Sequence, residues 1–321
     1  MKNILVIQTA FLGDVVLATA VIEKLHACLP DASISMLVRK GNESLLKNHP
    51  FLKKVIVWDK TKNKIPNLLH TIGEIKKENF DTVINLQRFF SSGLFTIFSG
   101  AKTKIGFDKN PLSFLFTQKV KHVIGDGRHE VARNLELLAS VCDTKFTNPK
   151  LYPGQENDAK TASYKTEKYV TMAPASVWFT KQLPEEKWVE LIRKQDKNLK
   201  IFLIGGPGDT SLCERIMQTA SVTNAVNLCG KLNLLDTASL MRDASMNYVN
   251  DSGPLHLASA TNAPVTAFFC STIPAFGFGP LSANSIIVET HEKLTCRPCG
   301  LHGKTACPEG HFLCAKSIGI D

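Results

Sequence analysis

The sequence contains no apolar run of the roughly 20 residues that a helical membrane span needs. No zinc-finger or RNA-binding signature interleaves its lysines with aromatics, so nucleic acid is not an expected partner despite a formal charge of +9. It also lacks the three spaced glycines that follow the first strand of a dinucleotide-binding dehydrogenase. The first turn, residues 8–14, holds only Gly13, and the run Gly205-Gly206-Pro207-Gly208 lies deep in the second half and is broken by proline. No low-complexity tract or internal repeat stands out. Met1-Lys2 ahead of the apolar residues 4–7 has the look of a secretion signal, but Gln8 and Asp14 interrupt the run and an amphipathic pattern follows. Residues 4–7 therefore read as a first strand, and the expected location is cytoplasmic.

What is present is a chain of 321 residues, 44% hydrophobic and 21% charged, long enough for two domains with separate cores. The positive balance points to acidic partners, a phosphate-bearing ligand or an anionic membrane face. Strand patterns at 4–7, 33–38, 54–58, 82–86 and 104–106 alternate with helical ones such as 15–28, stopped by Pro30, and 65–77. Residues 153–166, polar and poor in aliphatics, read as an interdomain linker, dividing the chain into domains 1–155 and 156–321. Strands at 169–172, 200–204, 226–228, 246–249 and 265–269 then alternate with helices at 184–195, 210–220 and 234–243. Such alternation predicts an α/β fold of two Rossmann-like, doubly wound domains facing across a cleft. Ligands gather at the carboxyl ends of parallel strands.

Residues 247–264 are the most informative stretch. A short strand, the turn Asn250-Asp251-Ser252-Gly253-Pro254 and a small-residue helix leave N–H groups aimed at one point. Ser252 adds a hydroxyl, Gly253 admits a ligand to the backbone, and His256 lies one turn in. The arrangement suits a phosphate or diphosphate. An ordinary strand-turn-helix capped by Asp251 or Ser252 fits the same residues.

The run Asp251-Ser252-Gly253-Pro254-Leu255-His256-Leu257-Ala258 resembles the signature of the ADP-heptose:lipopolysaccharide heptosyltransferases, glycosyltransferase family 9. Residues 4–20, with Gly13 and Asp14, resemble that family's opening strand, glycine turn and aspartate. Lys181 to Trp188 and Leu228 to Leu234 resemble further segments, in the family's order. The resemblance implies the GT-B arrangement and an inverting transfer of heptose from ADP-heptose to lipid-linked lipopolysaccharide core at the inner face of the membrane. It also implies Asp14 as catalytic base, where position alone favours a helix cap. By the same resemblance, Lys181 and Ser176 contact the sugar diphosphate, and Lys231 and Leu232 line the adenine. Asp209, in the loop after strand 200–204, is placed to take a ribose hydroxyl. Asp251, Ser252, Gly253 and His256 complete the donor side.

No Asp-x-Asp pair occurs, the device by which other glycosyltransferases hold a divalent cation on the diphosphate. A metal-free enzyme without a cofactor is expected, with Lys181 and a helix end at the leaving group. Arg88, Arg128 and Arg133 lie in segments resembling acceptor-side loops. Near them run the aromatics Phe89, Phe90, Phe95, Phe98, Phe114 and Phe116, by default a buried stripe, with an exposed subset as a shallow membrane contact. Cys28, Cys142, Cys213, Cys229 and Cys270 read as buried small hydrophobes. Cys296, Cys299, Cys307 and Cys314 crowd the tail, where one Cys-x-x-Cys admits a zinc site without the paired spacing of a strong one. Two other readings stand beside this one: a transferase using another nucleotide sugar, and a catalytically silent nucleotide-sugar-binding protein.

Overall fold

The computed structural model describes residues 2–61 and 63–320 and divides into two compact units, Met1–Tyr152 and Pro153–Asp321. Unit 1 holds strands β1 (Asn3–Gln8), β2 (Ser33–Arg39), β3 (Leu52–Trp58), β4 (Thr82–Asn85), β5 (Thr103–Phe107) and β6 (Gln118–Val120). Its helices are α1 (Leu12–Cys28), α2 (Lys64–Lys77), α3 (Phe90–Ile97) and α4 (Glu130–Glu136). Unit 2 holds β7 (Tyr169–Ala173), β8 (Lys200–Leu203), β9 (Ala225–Asn227), β10 (Met246–Asn250), β11 (Val265–Phe269) and β12 (Ser285–Glu289). Its helices are α5 (Gln155–Thr161), α6 (Glu185–Lys194), α7 (Thr210–Ala220), α8 (Leu234–Arg242), α9 (Gly253–Ala260) and α10 (Leu313–Lys316).

Both sheets are six-stranded and parallel throughout, ordered β3-β2-β1-β4-β5-β6 and β12-β11-β10-β7-β8-β9. Read from its other edge, the second order repeats the first, the doubly wound Rossmann order. This structural repeat is invisible in the sequence. The central strands are buried on both faces, which is why β1 and β7 read as continuous apolar runs rather than alternating ones. Helix α1 ends at Cys28, before Pro30, as the sequence predicts. Among the described residues no helix is long and apolar enough to cross a membrane.

Three expectations change. The stretch read as a linker holds α5, which is pinned to α8: Asn157 Nδ2 donates to Asp236 Oδ1 at 2.8 Å, and Lys160 Nζ pairs with Asp236 Oδ2 at 2.6 Å. Its polar residues, taken for solvated chain, are hydrogen-bonding partners of a neighbouring helix. Cys28 and Cys142, read as separate buried thiols, form a disulfide between the end of α1 and the segment after α4, with Cα atoms 6.0 Å apart. Their separation of 114 residues hides the pairing, which the packing of α1 on α4 creates. The aromatic stripe is not a single buried face: Phe95 and Phe116 are core, while Phe89, Phe90, Phe98 and Phe114 are exposed.

Candidate active site

In unit 1, β1 delivers the chain to its carboxyl end and α1 starts at Leu12, three residues earlier than the sequence pattern suggests. Gly13 and Asp14 therefore lie in the first helical turn. Phe11 is the N-cap and offers no side-chain bond, so Asp14 is not the cap. Burial pushes the Asp14 carboxyl up to about 6, and the nearby Glu130 charge adds to that. Backbone N–H bonds from Phe11 and Asp14 and the charge of Arg88 oppose the rise. A carboxylate tuned toward neutrality remains ionised at about pH 7 yet holds a proton more readily than an ordinary aspartate, the property a general base needs.

Glu130 is a residue that sequence reasoning missed. It begins α4, and although burial alone would raise its carboxyl, the nearby His122 ring and the bond and charge of Arg133 hold it below the usual glutamate range. Arg133 Nε donates to Glu130 Oε2 at 2.8 Å, and His122 Nε2 lies 3.9 Å from Oε1. Arg133, expected to face an acceptor, has a side chain only 1% exposed and also donates to the Arg128 carbonyl. Its role in the structure is to fix Glu130. Arg128 pairs with Asp126 at 2.7 Å and with Glu136. Arg88, half-buried after β4, is close enough for its charge to act on Asp14.

In unit 2 the expected donor residues gather at the carboxyl ends of β7, β10 and β11. Lys181 ends a short 3-10 turn, Phe179–Lys181, and its Nζ lies 2.8 Å from Asp251 Oδ2. Thr272, just beyond β11, donates its hydroxyl to the same oxygen at 2.6 Å. Asn250, the last residue of β10, accepts the Leu183 N–H at 2.9 Å and donates to the Pro174 carbonyl at 2.7 Å, tying together the two ends of the loop that carries Lys181. Ser252 is the extended N-cap of α9, yet its side chain makes no cap bond. Pro254 supplies no N–H, so the α9 terminus offers fewer donors than an ordinary helix start. His256 is buried with its ring edge toward Phe278.

The remaining predicted donor residues occupy flanking loops. Asp209 Oδ2 accepts the Gly206 N–H at 2.7 Å, and a Cβ on Gly205 would lie 2.7 Å from that same oxygen. Asp209 thus shapes the glycine turn after β8. Ser176 is half-buried, and its carbonyl accepts from Gln182 Nε2 at 2.7 Å. Lys231, exposed, and Leu232, half-buried, follow Gly230.

The tail is built into this site. Arg297 Nε and its terminal nitrogen donate to the carbonyls of Cys270 at 2.6 Å, Phe269 at 3.0 Å and Thr272 at 2.8 Å. Thr180 N–H donates to the Lys304 carbonyl at 3.1 Å, and Lys304 N–H to Thr180 Oγ1 at 2.8 Å. Gly303, at φ +76°, passes so close that a Cβ would lie 2.9 Å from Lys181 Cγ. Nothing in residue spacing announces Thr272, Arg297 or Gly303, because tertiary packing brings them to Lys181. Cys296, Cys299, Cys307 and Cys314 are free thiols, and Cys296 Sγ lies 3.8 Å from His311 Nε2. Among the described residues, the cluster of three ligand atoms within 4.8 Å of one another is Cys28, Cys142 and Asp143, whose two sulfurs are already bonded.

Two parallel Rossmann-ordered sheets, each with charged residues at its carboxyl edge, make the GT-B-like fold of a glycosyltransferase. The profile of glycosyltransferase family 9 (heptosyltransferase) matches residues 69–306, and the chain belongs to that family. It is 25% identical over 313 residues to lipopolysaccharide heptosyltransferase 1 of Campylobacter coli, covering 91% of each chain. To lipopolysaccharide heptosyltransferase 3 of Escherichia coli K12 it is 26% identical over 279 residues, covering 82% of this chain and 81% of the relative. Among solved structures it resembles a family 9 glycosyltransferase of Veillonella parvula with a TM-score of 0.80 at 22% identity, covering 89% and 85% of the two chains. The Escherichia coli ADP-heptose heptosyltransferase II gives 0.78 at 21% identity, covering 95% and 92%.

Proposed function

We propose that the enzyme transfers a heptose from ADP-heptose to a lipid-linked lipopolysaccharide core sugar at the inner face of the membrane, with inversion and without a metal. The Asp14 carboxylate takes the proton of the acceptor hydroxyl as its oxygen forms a bond to the sugar's anomeric carbon. The bond from that carbon to the diphosphate breaks, and its electron pair leaves on ADP. Attack opposite the leaving group inverts the anomeric centre.

The observation that carries this reading is Asp14 itself, a carboxyl held at about 6 where the first strand meets its helix. A module that only binds nucleotide sugars has no use for such a group, because tuning a carboxyl into this range matters for proton transfer. The leaving diphosphate is met by Lys181, whose ammonium has three donors and gives one to Asp251. The start of α9 lies beside them. A lysine and a helix end replace the charge that a divalent cation supplies elsewhere.

The test is a panel of nucleotide sugars incubated with purified protein, following heat protection and release of the nucleotide. ADP-heptose should protect and be consumed when a lipid A-linked core sugar is added, with EDTA present. Turnover of a different nucleotide sugar, or a strict need for magnesium or manganese, would overturn the donor or the metal-free part of this reading. Binding without turnover in the presence of every acceptor would favour a silent binding protein.

A further inference from the structure

The order of the first sheet, β3-β2-β1-β4-β5-β6, reverses direction between β1 and β4. In a doubly wound sheet such a reversal opens a crevice at the carboxyl ends of the two strands, where ligands bind. Asp14 comes after β1 and Arg88 after β4, so the two belong to opposite sides of that reversal. A pair of glutamines joins the sides. Gln8 ends β1, Gln87 lies two residues past β4, and both are buried. Gln87 Nε2 donates to Gln8 Oε1. The same Gln8 oxygen accepts the Ala10 N–H at 3.3 Å, which fixes the orientation of its amide and makes the Gln87 atom facing it the nitrogen.

Neither end of this link is loose. The Gln87 backbone N–H donates to Asn85 Oδ1 at 2.8 Å, and the Gln87 carbonyl accepts from Asn110 Nδ2 at 3.1 Å. Asn85 Nδ2 donates in turn to Thr96 Oγ1 at 2.9 Å. Asn110, beyond β5, also donates to the Phe89 carbonyl at 3.0 Å, and a Cβ on Gly93 of α3 would lie 2.5 Å from its Oδ1. At the other end, Gln8 holds the turn 9–11 that leads into α1. Asn42 Nδ2 donates to the Ala10 carbonyl at 3.1 Å, and Lys60 Nζ to the Thr9 carbonyl at 3.3 Å, so the turn is gripped from the ends of β2 and β3 as well.

This turn bears on Asp14 because Phe11 gives its backbone N–H to the Asp14 carboxylate. Such a bond favours the charged form and fixes where the oxygens point. The charges that act on the same carboxyl are Glu130 of α4 and Arg88. Arg88 directly follows Gln87, so the anchorage of one glutamine bears on both the Phe11 donor and the Arg88 charge.

We propose that Gln87 is a positioning residue for Asp14: its amide, acting through Gln8 and the turn 9–11, holds the carboxylate toward the acceptor hydroxyl. Packing alone does not call for an amide here. Gln87 Oε1 is buried and has no hydrogen-bond partner among the described residues, a state that costs stability and that a methionine of similar length avoids. The proposal rests on the reading of Asp14 as the base.

The test compares Gln87→Met, Gln8→Met and the two combined, in the full chain. Carboxyl-carbon nuclear magnetic resonance of isotope-labelled aspartate reads the Asp14 titration without any substrate, its signal being the one that Asp14→Asn lacks. Loosening the turn weakens the Phe11 bond, and shifting Arg88 weakens its attraction. Both losses disfavour the carboxylate. In Gln87→Met the Asp14 midpoint and the acidic limb of kcat/KM should therefore move together to higher pH, by about half a pH unit or more. Turnover should fall about tenfold through misplacement of the base, while the melting temperature and heat protection by ADP stay near wild type. Gln8→Met should behave alike, and it carries the test if Gln87→Met does not fold. The combined variant should be no worse than Gln8→Met, because the two side chains act in one line. An Asp14 midpoint unmoved in the single variants overturns the proposal, and so do effects that simply add. A moved midpoint beside wild-type turnover in Asp14→Asn would sink the reading of Asp14 as base and leave the linkage standing.

Discussion

Lys181 Nζ lies 2.8 Å from Asp251 Oδ2, and the same oxygen accepts the Thr272 hydroxyl at 2.6 Å. The carboxylate is buried, so it both aims the ammonium and depends on it. Lys181→Ala should lower turnover by about 100-fold, the usual scale for loss of one charge-stabilising group at a leaving oxyanion. It should also lower the melting temperature, because a buried aspartate loses its cation. Lys181→Arg should recover stability more than turnover, since the planar guanidinium presents its donors in a different fork. Steady-state kinetics with thermal melts of both variants separate the two effects, and wild-type turnover in Lys181→Ala would remove the lysine from the reaction.

Asp14→Asn should keep nucleotide affinity and lose about 100-fold or more in turnover. Its stability carries a second signature. The folded protein holds the Asp14 proton more tightly than the unfolded chain, so wild-type stability falls as pH rises from the ordinary value of 3.8 through about 6. Asparagine escapes that cost. Melting curves at several pH values should show Asp14→Asn gaining on the wild type above about pH 6, by about 3 kcal/mol, and not below about pH 4.

Activity should rise with pH through about 6 as Asp14 ionises. Glu130 sets part of that midpoint through its negative charge. Glu130→Gln should therefore move the acidic limb of the kcat/KM profile to lower pH, with a smaller effect on the plateau. A profile that stays in place would show that burial alone raises Asp14.

Gly303→Ala tests whether the tail positions Lys181. A methyl group there meets Lys181 Cγ at 2.9 Å and Thr180 Oγ1 at 3.1 Å, and φ +76° already disfavours a side chain. The variant should raise the donor KM several-fold while fold and acceptor KM change little, measured by varying each substrate in turn.

Most of the architecture was legible because parallel strands buried on both faces leave plain apolar runs separated by helical periods. Lys181 and Asp251, drawn from two separate sequence motifs, do meet in space. What the sequence concealed depends on contacts between distant segments. Arg133, placed by its segment on the acceptor side, is instead buried by α4 against Glu130. Polar residues of α5 look like linker until Asp236 of α8 supplies their partner. The Cys28–Cys142 bridge spans the unit, and the aromatic stripe divides because Asn110 fixes two loops with their rings turned outward. Composition in a single window carries none of these facts.

One reaction decides whether Asp14 drives an inverting, metal-free heptose transfer: wild-type protein, ADP-heptose and a lipid A-linked core acceptor, in EDTA, with Asp14→Asn in parallel. Nuclear magnetic resonance of the product reads the anomeric configuration, and nucleotide release reads the rate. One ADP should be released per heptose transferred, the linkage should have inverted configuration, and the Asp14→Asn rate should be lower by about 100-fold or more. A retained configuration, or an Asp14→Asn variant as fast as the wild type, would contradict this mechanism.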